Sequence, residues 1–133
     1  MTVTGTNTPA LAGQVACQAV WAPDGRALAD FYAAALGTEV SEIYPDQDGN
    51  ETAFAFSTGE TRYVFYTSAS FTAPDWPKGE LPFHIDLAYD DVTAAEQRLL
   101  ELGAAKPVHQ PGGRRWTVLL DPSGQPFCIH PTH

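Results

Sequence analysis

His84 and Asp86 stand two residues apart in an apolar segment, and residues two apart in a strand point to the same side. An imidazole beside a carboxylate can serve as an acid or a base. The chain's two cysteines, Cys17 and Cys128, lie far apart in sequence. Either thiol next to His84 could supply a nucleophile, but that needs a thiolate, and no oxyanion hole is evident. A Cys17–Cys128 disulfide would need Cα atoms within about 7 Å. The ordinary readings compete: free cysteine is most often a small buried hydrophobe, and His84 paired with Asp86 is a satisfied pocket histidine.

Strands and helices must position these groups. Gln14–Trp21 reads as a strand. Asp24 then precedes Leu28, Phe31, Tyr32 and Leu36, the apolar face of a helix, and Gly37 closes it. Strands follow at Thr38–Ile43, Thr52–Phe56 and Arg62–Thr67. Ser68–Leu81 holds two prolines, Pro74 and Pro77, and reads as a connector. The pattern then repeats: strand Pro82–Ala88, helix-capping Asp91 before Val92, Ala95, Leu99 and Leu102, and closing Gly103. A short strand is expected near Ala105–Val108, then a turn at Gln110-Pro-Gly-Gly113 and strands at Arg114–Leu120 and Pro126–His130. Asp121-Pro-Ser-Gly124 between them has turn chemistry. Thr93…Glu96 reads as a structural capping box.

This is one α+β domain over residues 13–133, built from two βαβββ modules (about 14–67 and 82–131) behind a polar tail at 1–12. Each module has an apolar sheet face that it cannot bury alone, so the two should pair and leave a cup. Alternation places Phe83, Ile85 and Leu87 under the second helix and His84, Asp86 and Ala88 on the concave side. The repeat carries Cys17, Ala19 and Trp21 to the same side. Phe127 and Ile129 are core, which turns Cys128 and His130 into the cup. In Arg62–Thr67 both faces are apolar or aromatic, and alternation does not choose between them.

Trp21, Tyr66, Trp76 and Trp116 are candidates for the cup wall, where aromatic rings stack on flat or cationic ligands. Tyr63, Phe65 and Phe71 read as core or connector packing, and Arg114-Arg115 as a solvated pair.

Composition narrows the partners. With 44% apolar residues the chain can bury a core without disulfides or a structural metal. Seven basic against 16 acidic residues, a formal net charge of −9, repel phosphate backbones and anionic membranes, so neither nucleic acid nor membrane is expected as a partner. No signal peptide or transmembrane run is read, and a cytoplasmic protein is the default expectation.

The order of elements resembles the vicinal-oxygen-chelate superfamily of glyoxalases, bleomycin-resistance proteins and extradiol dioxygenases, in its glyoxalase-like subgroup. The resemblance runs over about residues 14–131. It rests on Asp24…Ala29-Asp30-Phe31-Tyr32…Leu36-Gly37, Phe83-His84-Ile85-Asp86-Leu87 with Asp90-Asp91, Leu102-Gly103-Ala104, and Asp121-Pro-Ser-Gly-Gln-Pro-Phe-Cys128. It implies a cup formed within a chain or across a homodimer. It also implies metal-ligand stations on the first, fourth, fifth and eighth strands, usually His, Gln or Glu. The matching positions are Cys17, Tyr66, His84 and Cys128, of which only His84 is a standard ligand. Cys17, His84 and Cys128 would suit zinc rather than an oxygen-chelating ion.

The expected function is therefore metal-free binding of the bleomycin-resistance type. An aromatic or cationic small molecule, such as a natural product, would be sequestered by Cys17, Trp21, Tyr66, Trp76, His84, Asp86, Trp116 and Cys128. The alternative is a glyoxalase-like lyase, isomerase or hydrolase that uses His84 and Asp86 with a divalent metal such as zinc, or with cysteine.

Overall fold

The computed structural model describes residues 10–132. Most of the tail expected at 1–12 lies outside the described residues. Strand β1 (Gln18–Ala22) leads into helix α1 (Gly25–Ala35), then β2 (Glu42–Pro45), β3 (Glu51–Thr58) and β4 (Thr61–Thr67). After the connector come β5 (Asp86–Tyr89), α2 (Val92–Glu101), β6 (Thr117–Leu120) and β7 (Pro126–Pro131).

Both helices begin and end for local reasons. The Asp24 carboxylate accepts from Ala27 N at 3.0 Å, and the Asp91 carboxylate accepts from Ala94 N at 3.0 Å. Each satisfies a backbone donor that the first turn leaves unpaired. Gly37 (φ +74) and Gly103 (φ +116) follow the helices in conformations that L side chains avoid. The Thr93…Glu96 capping box does not form. Asp91 is the cap, and Glu96 instead pairs with Lys106 at 3.2 Å.

The strands form two curved, unclosed sheets of the same plan, in the order β1-β4-β3-β2 and β5-β7-β6. In each, the first strand lies parallel to the last, and the remaining pairs are antiparallel. The helix-facing sides of both sheets share a single core. Phe54, Phe56 and Phe65 from the first sheet meet Leu87, Leu119, Phe127 and Ile129 from the second. Helix α1 bridges them: the Tyr32 ring stacks on Phe65 and meets Phe127 edge-on, both at 5.7 Å. The Tyr32 hydroxyl donates to buried Asp121 at 2.6 Å. Burial, then the charge and hydrogen bond of Asp121, raise the Tyr32 pKa well above its ordinary value. Asp121 also accepts from Ser123 N, Ser123 Oγ and Gln125 N, so what read as a turn is a buried pin between the two halves.

Several expectations change. β1 starts at Gln18 rather than Gln14, and β2 lies at 42–45, C-terminal to most of the expected Thr38–Ile43. β5 starts at Asp86. Phe83, expected beneath the second helix, is 91% exposed, because the chain before Asp86 has not yet joined the β7 ladder. The strand near Ala105–Val108 shrinks to one bridge, Ala105 to Leu120. Pro107 has no N–H to continue a ladder, and the Gln110 side chain takes over. It donates to Pro107 O and Val118 O and accepts from Val118 N, at 2.8–2.9 Å.

Candidate functional site

The concave face of the second sheet can be read from its register. Asp86 lies beside Cys128, and Cys128 beside Val118, in one row across β5, β7 and β6. His84 stands one step before Asp86 on the same face. His130 stands one step beyond Cys128, and the β6–β7 register continued by one residue brings Trp116 next to it. These residues floor a cavity of about 400 Å³. Trp76 and Leu81 from the connector, Pro111 and Arg115 from the loop before β6, and Pro126 complete its wall. The size and the mainly apolar lining suit a small organic ligand.

Within it, donor atoms of His84, Asp86 and Cys128 all lie within 4.8 Å of one another. His84 Nε2 is 3.1 Å from Asp86 Oδ1, with both side chains about half-exposed. Cys128 is buried, and burial, then the charge and hydrogen bond of Asp86, push its thiol up to about 11. The thiol is almost wholly protonated at neutral pH, which opposes a nucleophilic role. Cysteine, imidazole and carboxylate are donors that zinc accepts, and together they fill three of its four positions.

The remaining candidates lie elsewhere. Trp21 and Tyr66 are partners in the β1–β4 register, and their rings stack at 4.9 Å. Buried Phe65 takes the core side of β4, which settles the face that alternation left open: Val64 and Tyr66 are concave. Cys17 is exposed, and the β1–β4 register continued by one residue puts it beside Arg62. Both cysteines are free. A second cleft of about 760 Å³ runs between β1 and the 81–85 stretch. It brings Trp21 and His84 onto one wall with Phe71 and exposed Phe83. Thus Trp76, His84, Asp86, Trp116 and Cys128 share one cavity, Trp21 joins only His84 in the neighbouring cleft, and Cys17 and Tyr66 line neither.

Arg115, which read as half of a solvated pair, is exposed and also lines the cavity: residues 111–114 form a turn, and β6 starts at Thr117 rather than Arg114. Gln110, which ties this loop to Val118, gave no signal in the sequence. No described helix is long and apolar enough to cross a membrane.

The model of a family described as a glyoxalase-like domain matches residues 14–130. No curated protein matches the sequence. Among solved structures, the glyoxalase family protein from Enterococcus faecalis is 23% identical, with a TM-score of 0.64 over 88% of this chain and 96% of that one. The trypanothione-dependent glyoxalase I of Leishmania major is 14% identical, with a TM-score of 0.63 over 90% and 87%. TnmS3, an antibiotic-binding protein from Streptomyces sp. CB03234, is 23% identical, with a TM-score of 0.55 over 92% and 98%.

Proposed function

The chain belongs to the glyoxalase-like domain family, and from that premise we propose that it is a binding protein of the bleomycin-resistance type, which holds an aromatic small molecule such as a natural product in the cavity of its second sheet. The cavity itself carries this reading: about 400 Å³, mainly apolar in its lining, with two tryptophans among its residues and the polar groups gathered on its floor. Trp76 and Trp116 supply stacking surface. Asp86 and His84 orient the ligand's polar groups, and a protonated thiol at Cys128 keeps the floor neutral between them. The antibiotic-binding neighbour lends support. The test is calorimetry and thermal shift with a panel of aromatic antibiotics, followed by chromatography of the recovered ligand. Saturable binding with the ligand returned unchanged is expected, and turnover would remove the pure-binding reading.

The triad of donors favours a second reading, a lyase, isomerase or hydrolase. His84, Asp86 and Cys128 would hold a zinc-type ion, whose chemistry would be to polarise a bound oxygen. Around it, His84 would accept or return a proton and Asp86 would orient the imidazole. Cys17, expected in such a set, is not among the clustered donors, and Cys128 would have to surrender a strongly held proton. Metal analysis of the purified protein separates the readings: stoichiometric zinc that is lost in Cys128→Ser supports the enzyme.

A homodimer fits either reading. β1 and β5 are open sheet edges, and Val15 (79% exposed) and Phe83 (91% exposed) stand beside them. Light scattering after size exclusion is expected to give twice the 14.3 kDa chain mass.

A further inference from the structure

We propose that Arg115 selects the ligand, and that the cavity of the second sheet takes molecules with a planar apolar body and an acidic group. This deepens the binding reading and rests on it. Basic residues are scarce in this chain, seven in all. Arg26, Arg62, Arg98 and Lys106 each pair with a carboxylate of the protein. Arg115 has no carboxylate partner among the described residues, yet it lines the cavity. Its guanidinium lies 5.3 Å from the centre of the Trp116 ring.

The local structure holds it there. Gly112 is buried against Trp116: a Cβ at Gly112 would come within 2.4 Å of the indole, so only glycine lets that ring lie where it does. Arg115 N donates to Gly112 O at 3.0 Å and closes the turn. The Gln110 carboxamide then fastens the loop to Val118 of the cavity floor. The guanidinium is thus pre-set on an aromatic support, which lowers the ordering cost of forming a forked bond to a carboxylate. Asp86 places the opposite charge on the floor. An acid would avoid that end and turn to the rim, leaving its ring over Cys128 and Val118. An amine would meet attraction at the floor and repulsion at Arg115.

The experiment is isothermal titration of the full chain at low salt with three probes of one shape: indole-3-acetate, indole and tryptamine. Wild type is expected to bind indole-3-acetate about tenfold more tightly than either other probe, with the margin shrinking as salt rises. In Arg115→Gln the ratio of acid to neutral probe should fall to about one. Arg115→Lys should retain part of it, because charge survives while the fork is lost. Equal binding of acid and indole by wild type, tighter binding of tryptamine, or an unchanged ratio in Arg115→Gln would overturn the inference and leave the pocket standing. If none of the three probes binds, the inference is overturned, while the panel of aromatic antibiotics decides the binding reading separately. Circular-dichroism melts of each variant confirm that the fold is intact.

Discussion

The two modules share a plan, yet their concave faces differ. In the first sheet the central row is Ala19, Val64 and Ala55, flanked by the Trp21–Tyr66 stack on one side and by Arg62, hydrogen-bonded to Glu42 and Tyr44, on the other. In the second sheet the matching row is Asp86, Cys128 and Val118. One face is filled by its own aromatic and ion-paired side chains. The other keeps a cavity with ionisable groups on its floor. On the helix side the contrast vanishes, because both sheets contribute large apolar side chains to the same core. Duplication preserved what folds the protein, and chemistry accumulated on the half whose concave face stayed open.

The shared core gives the largest expected effect. Phe127 is fully buried against Phe31 and Tyr32 of the other module. Phe127→Ala is expected to cost about 3–5 kcal/mol. Because α1 is packed on both sheets, calorimetry should still show one transition, with its midpoint lowered. Two separated transitions would mean that the modules fold independently.

Asp121 comes next. Asp121→Ala removes the acceptor of Tyr32 and of three groups in its own loop. A loss of about 3 kcal/mol in urea denaturation is expected, from the charged hydrogen bonds and the donors left buried. Tyr32→Phe should cost less, since Asp121 keeps its loop donors.

The plan of the fold was legible in the sequence because its signals are local. Asp24 and Asp91, Gly37 and Gly103, and the alternation in 85–87 and 127–130 each act over a few residues, whereas at Phe83, before the β5 ladder begins, alternation misled. Alternation turned Cys128 and His130 away from the core side taken by Phe127 and Ile129. What the sequence did not reveal depends on contacts made far along the chain. Tyr32 and Asp121 are 89 residues apart. Whether Cys17 meets His84 depends on how the modules pair, and they pair through their helix sides. Arg115 read as solvent-facing only, because the turn expected at Gln110–Gly113 runs on through Arg114 and the strand expected from Arg114 starts at Thr117.

A pH effect of intermediate size belongs to the second face alone. The Cys128 thiol is raised to about 11 in the folded chain, against ~8.5 when unfolded. Its contribution to stability is complete below the unfolded value. It is lost as pH rises through the folded one, because the unfolded chain releases this proton first. The loss should be on the order of 3 kcal/mol between about pH 8.5 and 11. Tyr32 steepens the same limb at its upper end, so the comparison is with Cys128→Ser, which should remove only the thiol's share. Cys17, exposed on the first face, should be alkylated by iodoacetamide well before Cys128.

The smallest expected effect probes the first face directly. Trp21→Ala breaks a stacked pair in which Trp21 is half-exposed, and about 1 kcal/mol of stability should go with it. The cavity wall of the second sheet does not include Trp21. Affinity for indole-3-acetate should therefore stay within about twofold of wild type, whereas Trp116→Ala should weaken it by about tenfold or more. The same titrations can break the comparison. If Trp21→Ala weakened binding as much as Trp116→Ala, the ligand would have to touch both faces. Trp21 and His84 share the neighbouring cleft, so such a ligand would reach Trp21 across His84 or from a second copy docked on the open β1 edge. Repeating the Trp21→Ala titration across protein concentration tells these apart, because only the second route depends on dimer formation.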